Sequence, residues 1–315
     1  MTIGEDELRE RLQDEDDDRA EAALRQHFVP VPRAALTYSW CPAAELEPAP
    51  SDEEGWKERW FQRMVDLANE TEQRLRRRRY QWRRRRHPDW PVIVSEGDSW
   101  VAHPFIRDLS DRLSDEDDFA FTLLSKGAAG DRLADVEREH DLRTALGEAE
   151  VRAMVLSGGG NDMLAGFEDL VTADGPGPQT VDWILEILEP HMAGAMCAME
   201  RVLEEARRLD PRVPIIVHGY DYLRVREAGK GHFLGPYFDR IGVEDHATRT
   251  QAIRCLVDRF NTGLVEVAGR IDRVRYVDLR SIVPDEEWAD EIHPDKHGFA
   301  RLGDVIARAL LEEIG

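Results

Sequence analysis

Lysine is almost missing from this chain. Lys57, Lys126, Lys230 and Lys296 stand against 38 arginines. Cysteine is scarce as well: Cys41, Cys197 and Cys255 are odd in number and far apart, so neither a disulfide framework nor a zinc knuckle is indicated. No run of about 18 consecutive apolar residues occurs, which argues against a membrane-spanning helix. The opening Met1-Thr2-Ile3-Gly4-Glu5-Asp6 lacks the basic and apolar parts of a secretory signal, so the expected location is cytoplasmic. Positive charge is in deficit overall. A formal net charge of −22 argues against nucleic acid as a partner for the body of the protein, because phosphate affinity needs clustered cations. Many acids with few lysines fit a salt-rich cytoplasm, where a highly charged surface stays soluble. GC-rich coding, which favours arginine, explains the same bias.

What remains is a chain of 315 residues, 42% hydrophobic, long enough to bury a proper core. Two parts are expected, residues 1–89 and 90–315. The first 18 residues hold nine acids, and Pro30, Pro32, Pro42, Pro48 and Pro50 follow. That composition favours an extended or partly disordered arm over residues 1–50. Residues 52–86 then carry Trp56, Trp60, Met64, Leu67, Leu75 and Trp82 near one face at helical spacing, with Pro88 as the stop. The only basic block lies here, in Arg74, Arg76 to Arg79 and Arg83 to Arg86. It could contact a protein partner, an anionic membrane or nucleic acid, or pair with the acids of its own chain.

From residue 90 strands and helices alternate. Apolar strand candidates are 91–95, 119–124, 151–157, 213–218 and 273–278, and helical patterns cover about 103–114, 131–147, 181–209, 245–270 and 297–313. Continuous Val/Ile/Leu runs are strands buried on both faces. Five of them with right-handed crossovers give a three-layer α/β/α domain around a parallel sheet.

Chemistry-bearing residues collect after these strands. Gly97-Asp98-Ser99-Trp100 follows the first. Ser99 there is either a nucleophile, which needs a base to take its proton, or an ordinary helix cap. Val101 stands where a G-x-S-x-G elbow would place its second glycine, so the common lipase-type elbow is disfavoured. His293 is the candidate base. Asp290, three residues earlier in Asp290-Glu291-Ile292-His293-Pro294, can hold its Nδ1 and fix the tautomer. Gly158-Gly159-Gly160-Asn161-Asp162 lacks the Lys-Ser/Thr of a phosphate loop and the spacing of a dinucleotide fingerprint. Its better reading is a close turn that aims the Asn161 amide at developing negative charge, with N–H groups from Gly130 and Ser99 as further donors. Plain turn chemistry after a strand would also account for both glycine segments.

These four segments, in this order, resemble the SGNH (GDSL-type) hydrolase family over residues 91–313. Trp100 stands in place of the usual leucine of the first block. Gly130 matches the second block, Gly160-x-Asp162 with Asn161 the third, and Asp290-x-x-His293 the last. The resemblance implies a five-stranded flavodoxin-like sheet, with residues 1–89 as an extension that has no counterpart in the usual domain. It implies Ser99 as nucleophile, His293 as base, Asp290 as its orienting carboxylate, and Ser99 N–H, Gly130 and Asn161 as the oxyanion hole. No metal and no cofactor are expected.

The substrate expected is a small-molecule, lipid or sugar ester. Tyr220 and Tyr222, after the fourth strand, are candidate pocket residues with Trp100. The long connection to about residue 244, with His232, Phe233, Tyr237 and Phe238, and the Gly/Pro-rich 166–180 are candidate walls. An acyltransferase with the same triad is the nearest enzymatic alternative. A binding or assembly module working through residues 52–86 is the alternative from another class.

Overall fold

The computed structural model describes residues 4–32, 38–43, 56–103, 105–115, 118–138, 141–148, 150–172, 180–229 and 233–315. These fall into two compact units, one closing at Pro88 and the other opening at Asp89.

In the first unit, α1 (Glu5–Leu12) and α2 (Asp17–His27) lead into an antiparallel hairpin of β1 (Phe28–Pro32) and β2 (Tyr38–Pro42), followed by α3 (Trp56–Arg86). Over residues 4–32 and 38–43 this corrects the extended or partly disordered arm expected of residues 1–50, of which Pro48 and Pro50 lie outside the described residues. Apolar pairs hidden among the acids are the reason. Leu8 with Leu12, and Ala20 with Leu24, stand four apart and are buried, so each short helix has a stripe to bury. On α3 the stripe holds at Met64, Leu67 and Leu75, which are buried, but Trp82 is 46% exposed. The Trp56 side chain lies outside the described residues. The arginine block meets acids of its own unit: Arg78 pairs with Asp17 at 3.0 Å and Arg79 pairs with Glu21. Arg74 also donates to the Leu12 carbonyl, where the end of α1 leaves an acceptor open.

The second unit runs β3 (Val92–Gly97), α4 (Leu109–Leu113), β4 (Thr122–Ser125), α5 (Leu133–Arg138), α6 (Asp141–Glu148), β5 (Val151–Ser157), α7 (Gly160–Ala165), α8 (Phe167–Thr172), α9 (Val181–Leu209), β6 (Ile215–His218), α10 (Leu234–Arg240), α11 (His246–Arg270), β7 (Val274–Val277) and α12 (Lys296–Ile314). The strands form one all-parallel sheet in the order β4-β3-β5-β6-β7. Helices α4 and α12 pack together on one face; α9 and α11 pack together with α5 and α6 on the other. Every residue of β3 is buried, as a strand covered on both sides must be. The chain steps from β3 to β4 on one side and returns to β5 on the other, which makes the β3–β5 crevice the topological switch point where open sheets present their sites.

The helix expected over 103–114 shortens to α4. Asp108 accepts the His103 N–H at 2.6 Å, and His103 Nδ1 accepts the N–H groups of Phe105 at 3.1 Å and Ile106 at 3.0 Å. These side-chain bonds satisfy the backbone in a turn instead of a helix. Asp108 then caps α4 in a reciprocal box with Asp111. No helix among the described residues is long and apolar enough to cross a membrane.

Candidate active site

Ser99 stands two residues beyond β3, and the turn that presents it can only be made with glycine. Gly97 has φ +136°, and a Cβ there would lie 1.6 Å from the Ser157 carbonyl oxygen. With no side chain, β3 and β5 close up, and Asp98 N–H donates to that carbonyl at 3.2 Å. Asp98 is buried and works inward. One carboxylate oxygen accepts the Trp100 N–H at 3.0 Å and the Ser157 hydroxyl at 3.1 Å; the other accepts the Tyr220 hydroxyl. Ser99 itself, 9% exposed, is left free of these inward bonds.

The loop between β7 and α12 delivers the imidazole. His293 Nε2 lies 2.8 Å from Ser99 Oγ, across 194 positions of sequence. Its Nδ1 lies 3.0 Å from Asp290 Oδ2, and Asp290 Oδ1 is held at 2.8 Å by the N–H groups of both Ile292 and His293. A carboxylate accepts only, so Nδ1 carries the proton and Nε2 presents its lone pair to the serine. The histidine is 1% exposed. The His103 ring meets it edge to face at 4.6 Å between centroids.

The third component follows β5. Asn161 is buried and its Nδ2 donates one hydrogen to the Asp131 carbonyl at 2.8 Å, joining this turn to the one that carries Gly130 at φ +90°. An amide nitrogen has a second hydrogen to offer. Among the described residues, no acceptor engages the backbone N–H of Ser99 or of Gly130. Gly160 must be glycine because a Cβ would fall 2.7 Å from the Tyr220 ring. Asp162 accepts the Leu133 N–H at 3.0 Å, and burial raises its pKa.

A cavity of about 20 Å³ adjoins the serine, lined by Ser99, Asn161, His293, Trp100, Tyr220 and Leu223 among others. The structure thus brings Ser99, His293, Asp290 and Asn161 together, with Trp100 and Tyr220 in the wall. It does not bring Tyr222 there. That hydroxyl donates to Asp258 at 2.7 Å, and Arg254 covers its ring at 4.0 Å. Of the proposed walls, residues 173–179 and His232 lie outside the described residues.

Sequence reasoning missed two anchors. Asp98 hides inside the motif that advertises the serine. Glu291 is 1% exposed, and its carboxylate accepts four backbone N–H groups, from Arg226 at 3.1 Å, Phe233 at 2.7 Å, Leu234 at 3.0 Å and Gly235 at 3.0 Å. Nothing in the local pattern distinguishes it from the surface acids around it. Among the described residues no group of His, Cys, Asp and Glu is arranged to hold a metal ion.

A family model described as the GDSL-like Lipase/Acylhydrolase family matches residues 92–301. Among solved structures, a lipase from a goat rumen metagenome is 15% identical, covering 70% of this chain and 97% of that one at a TM-score of 0.48. An extracellular lipase from Streptomyces rimosus is 16% identical, with 70% and 98% covered and a TM-score of 0.47. A phospholipase A1 from Streptomyces albidoflavus is 15% identical, with 70% and 98% covered and a TM-score of 0.46. None of the curated proteins matches.

Proposed function

The chain belongs to the GDSL-like lipase/acylhydrolase family, and from that premise we propose that it is a serine esterase working through an acyl-enzyme on Ser99. The observation that carries this reading is the relay Ser99 Oγ–His293 Nε2 at 2.8 Å with His293 Nδ1–Asp290 at 3.0 Å. A serine hydroxyl is a weak nucleophile at neutral pH, and an adjacent imidazole lone pair is the usual remedy.

In the first half-reaction Ser99 Oγ bonds to the ester carbonyl carbon. The carbonyl electron pair moves onto oxygen, and the serine proton passes to His293 Nε2. Asp290 stabilises the imidazolium. The oxyanion takes the N–H groups of Ser99 and Gly130 and the second Asn161 hydrogen; a donor of this kind is typically worth about 10²–10³ in rate. Collapse breaks the bond to the alcohol, which leaves with the proton from His293. Water then adds to the acyl-enzyme with His293 as base, and the acid and free serine are released.

Fluorophosphonate labelling with mass mapping tests this. The modified residue should be Ser99. Ser99→Ala should lose both the label and at least about 10⁴-fold in p-nitrophenyl acetate turnover while unfolding like the parent. A label on another serine, or turnover unchanged in Ser99→Ala, would overturn the assignment.

A further inference from the structure

Resting on the esterase reading, we propose that His103 is a positioning residue for the reaction, its ring bracing His293 through the proton transfers while carrying no charge of its own. The base is tied along one edge only. His293 Nδ1 lies 3.0 Å from Asp290 Oδ2 and 3.2 Å from Oδ1, which leaves the ring able to tip about that edge. The opposite nitrogen has to meet the oxygens of Ser99, of the leaving alcohol and of the incoming water in turn. A reacting group misplaced by about 1 Å can lose about 10²-fold in rate. Two rings meet the imidazole edge to face. His103 stands at 4.6 Å between centroids with the planes at 74°, and Phe233 at 6.2 Å and 78°. Both fit the spacing of perpendicular aromatic pairs, about 4.5–7 Å, and His103 is the nearer.

The brace is itself fastened. His103 is buried, and its backbone N–H donates to Asp108 at 2.6 Å. Its Nδ1 accepts the N–H groups of Phe105 at 3.1 Å and Ile106 at 3.0 Å. Those two bonds set the tautomer. A ring nitrogen that accepts has its lone pair in use, so the ring proton sits on Nε2. Protonating Nδ1 would turn an N–H toward two N–H donors and take away the acceptor of both. The ring therefore stays neutral when His293 takes the serine proton. A second imidazolium at this distance would oppose that step, because a like charge disfavours ionisation. A neutral ring does not, and its π-system suits a neighbouring cation. His103 also belongs to the turn that carries the nucleophile. The N–H groups of Val101 at 3.1 Å and Ala102 at 3.0 Å both donate to the Asp98 carbonyl, so one tightly bonded segment holds the attacking oxygen and the brace on its base.

The experiment separates the ring from the turn. His103→Asn keeps an acceptor for the two N–H groups, because an asparagine Oδ1 stands close to where Nδ1 stood, and removes the ring. His103→Phe keeps a ring and removes the acceptor. Turnover of p-nitrophenyl acetate by the full-length chain is counted per Ser99 titrated with fluorophosphonate, so misfolded protein does not enter. We expect kcat about tenfold or more lower in His103→Asn with KM within about twofold, and kcat within about threefold of the parent in His103→Phe. The low-field proton resonance of the His293 Nδ1–H should broaden in His103→Asn and stay sharp in His103→Phe. A kcat unchanged in His103→Asn would overturn the brace. Equal losses in the two variants would overturn it too, since the turn and not the ring would then carry the effect. Absence of both turnover and labelling in the parent would remove the esterase reading, and this inference with it.

Discussion

The Tyr220 hydroxyl donates to the Asp98 carboxylate and at the same time accepts the Gly160 N–H at 2.9 Å. One phenol thus joins the ends of β3, β5 and β6, the three strands around the switch point. Burial, and after it the neighbouring Asp98 charge, push the Tyr220 pKa well above its ordinary value, so the hydroxyl keeps its proton and its direction as donor. The serine turn and the asparagine turn are held at a set spacing by a group that sequence reading placed in the substrate pocket.

Removing that hydroxyl should therefore cost catalysis as well as stability. In Tyr220→Phe a buried Asp98 oxygen and the Gly160 N–H lose a partner, a loss of about 1–3 kcal/mol. We expect kcat to fall about 10–10²-fold with KM little changed, because donors aimed at the oxyanion lose their spacing. Urea unfolding and steady-state kinetics read the two effects separately. A destabilised variant with unaltered kcat would confine Tyr220 to a scaffold role.

Asp290→Asn should disable the base through its tautomer. The amide oxygen would stay where the Ile292 and His293 N–H groups hold Oδ1, each at 2.8 Å. The NH₂ would then replace Oδ2 and face Nδ1, which must offer a lone pair and shift the imidazole proton to Nε2. That nitrogen could no longer take the serine proton. We expect a fall of about 10⁴-fold in kcat with unfolding unchanged, a smaller loss than in Ser99→Ala. A silent substitution would mean that another carboxylate orients His293.

Gly97→Ala tests the close approach of β3 and β5. A Cβ 1.6 Å from the Ser157 carbonyl oxygen, at φ +136°, cannot be accommodated without separating the strands. A loss above about 3 kcal/mol is expected, visible as low soluble yield and a depressed thermal midpoint. Stability within about 0.5 kcal/mol of the parent would mean that the strand ends separate easily.

His218 predicts a pH dependence. It is wholly buried, its Nδ1–H donates to the Gly219 carbonyl at 2.8 Å, and burial lowers its pKa from the ordinary 6.5. Above pH 6.5 both folded and unfolded chains hold it neutral, and it contributes nothing to the slope. Below pH 6.5 the unfolded chain binds a proton that the folded chain resists. Stability then falls with pH by up to about 1.4 kcal/mol per unit until the folded pKa is reached. His218→Gln should flatten this limb in urea unfolding between pH 6.5 and 5.5, and parallel slopes in parent and variant would refute it.

The elements legible in the sequence were those whose burial is local. Val151–Ser157 reads as a continuous apolar run because both faces of its sheet are covered, and α9 and α11 show their long stripes directly. Short elements were not legible. Helices α7, α8 and α10 span six, six and seven residues, too few for a period to stand out, and α10 begins where Glu291 gathers the N–H groups of Phe233, Leu234 and Gly235. Tyr220 and Tyr222 look alike in sequence, two positions apart after the same strand. The backbone path sends one ring beneath the serine turn and the other to Asp258 on α11.

By itself the sequence determined the parallel α/β architecture and which four segments carry reactive groups, because hydrophobic periodicity and residue type are properties of neighbouring positions. The tertiary structure alone decided that Ser99 meets His293 across 194 positions and that Tyr220 meets Asp98 across 122. Those distances follow from strand order, sheet twist and the route of long loops, which only the packed chain as a whole defines.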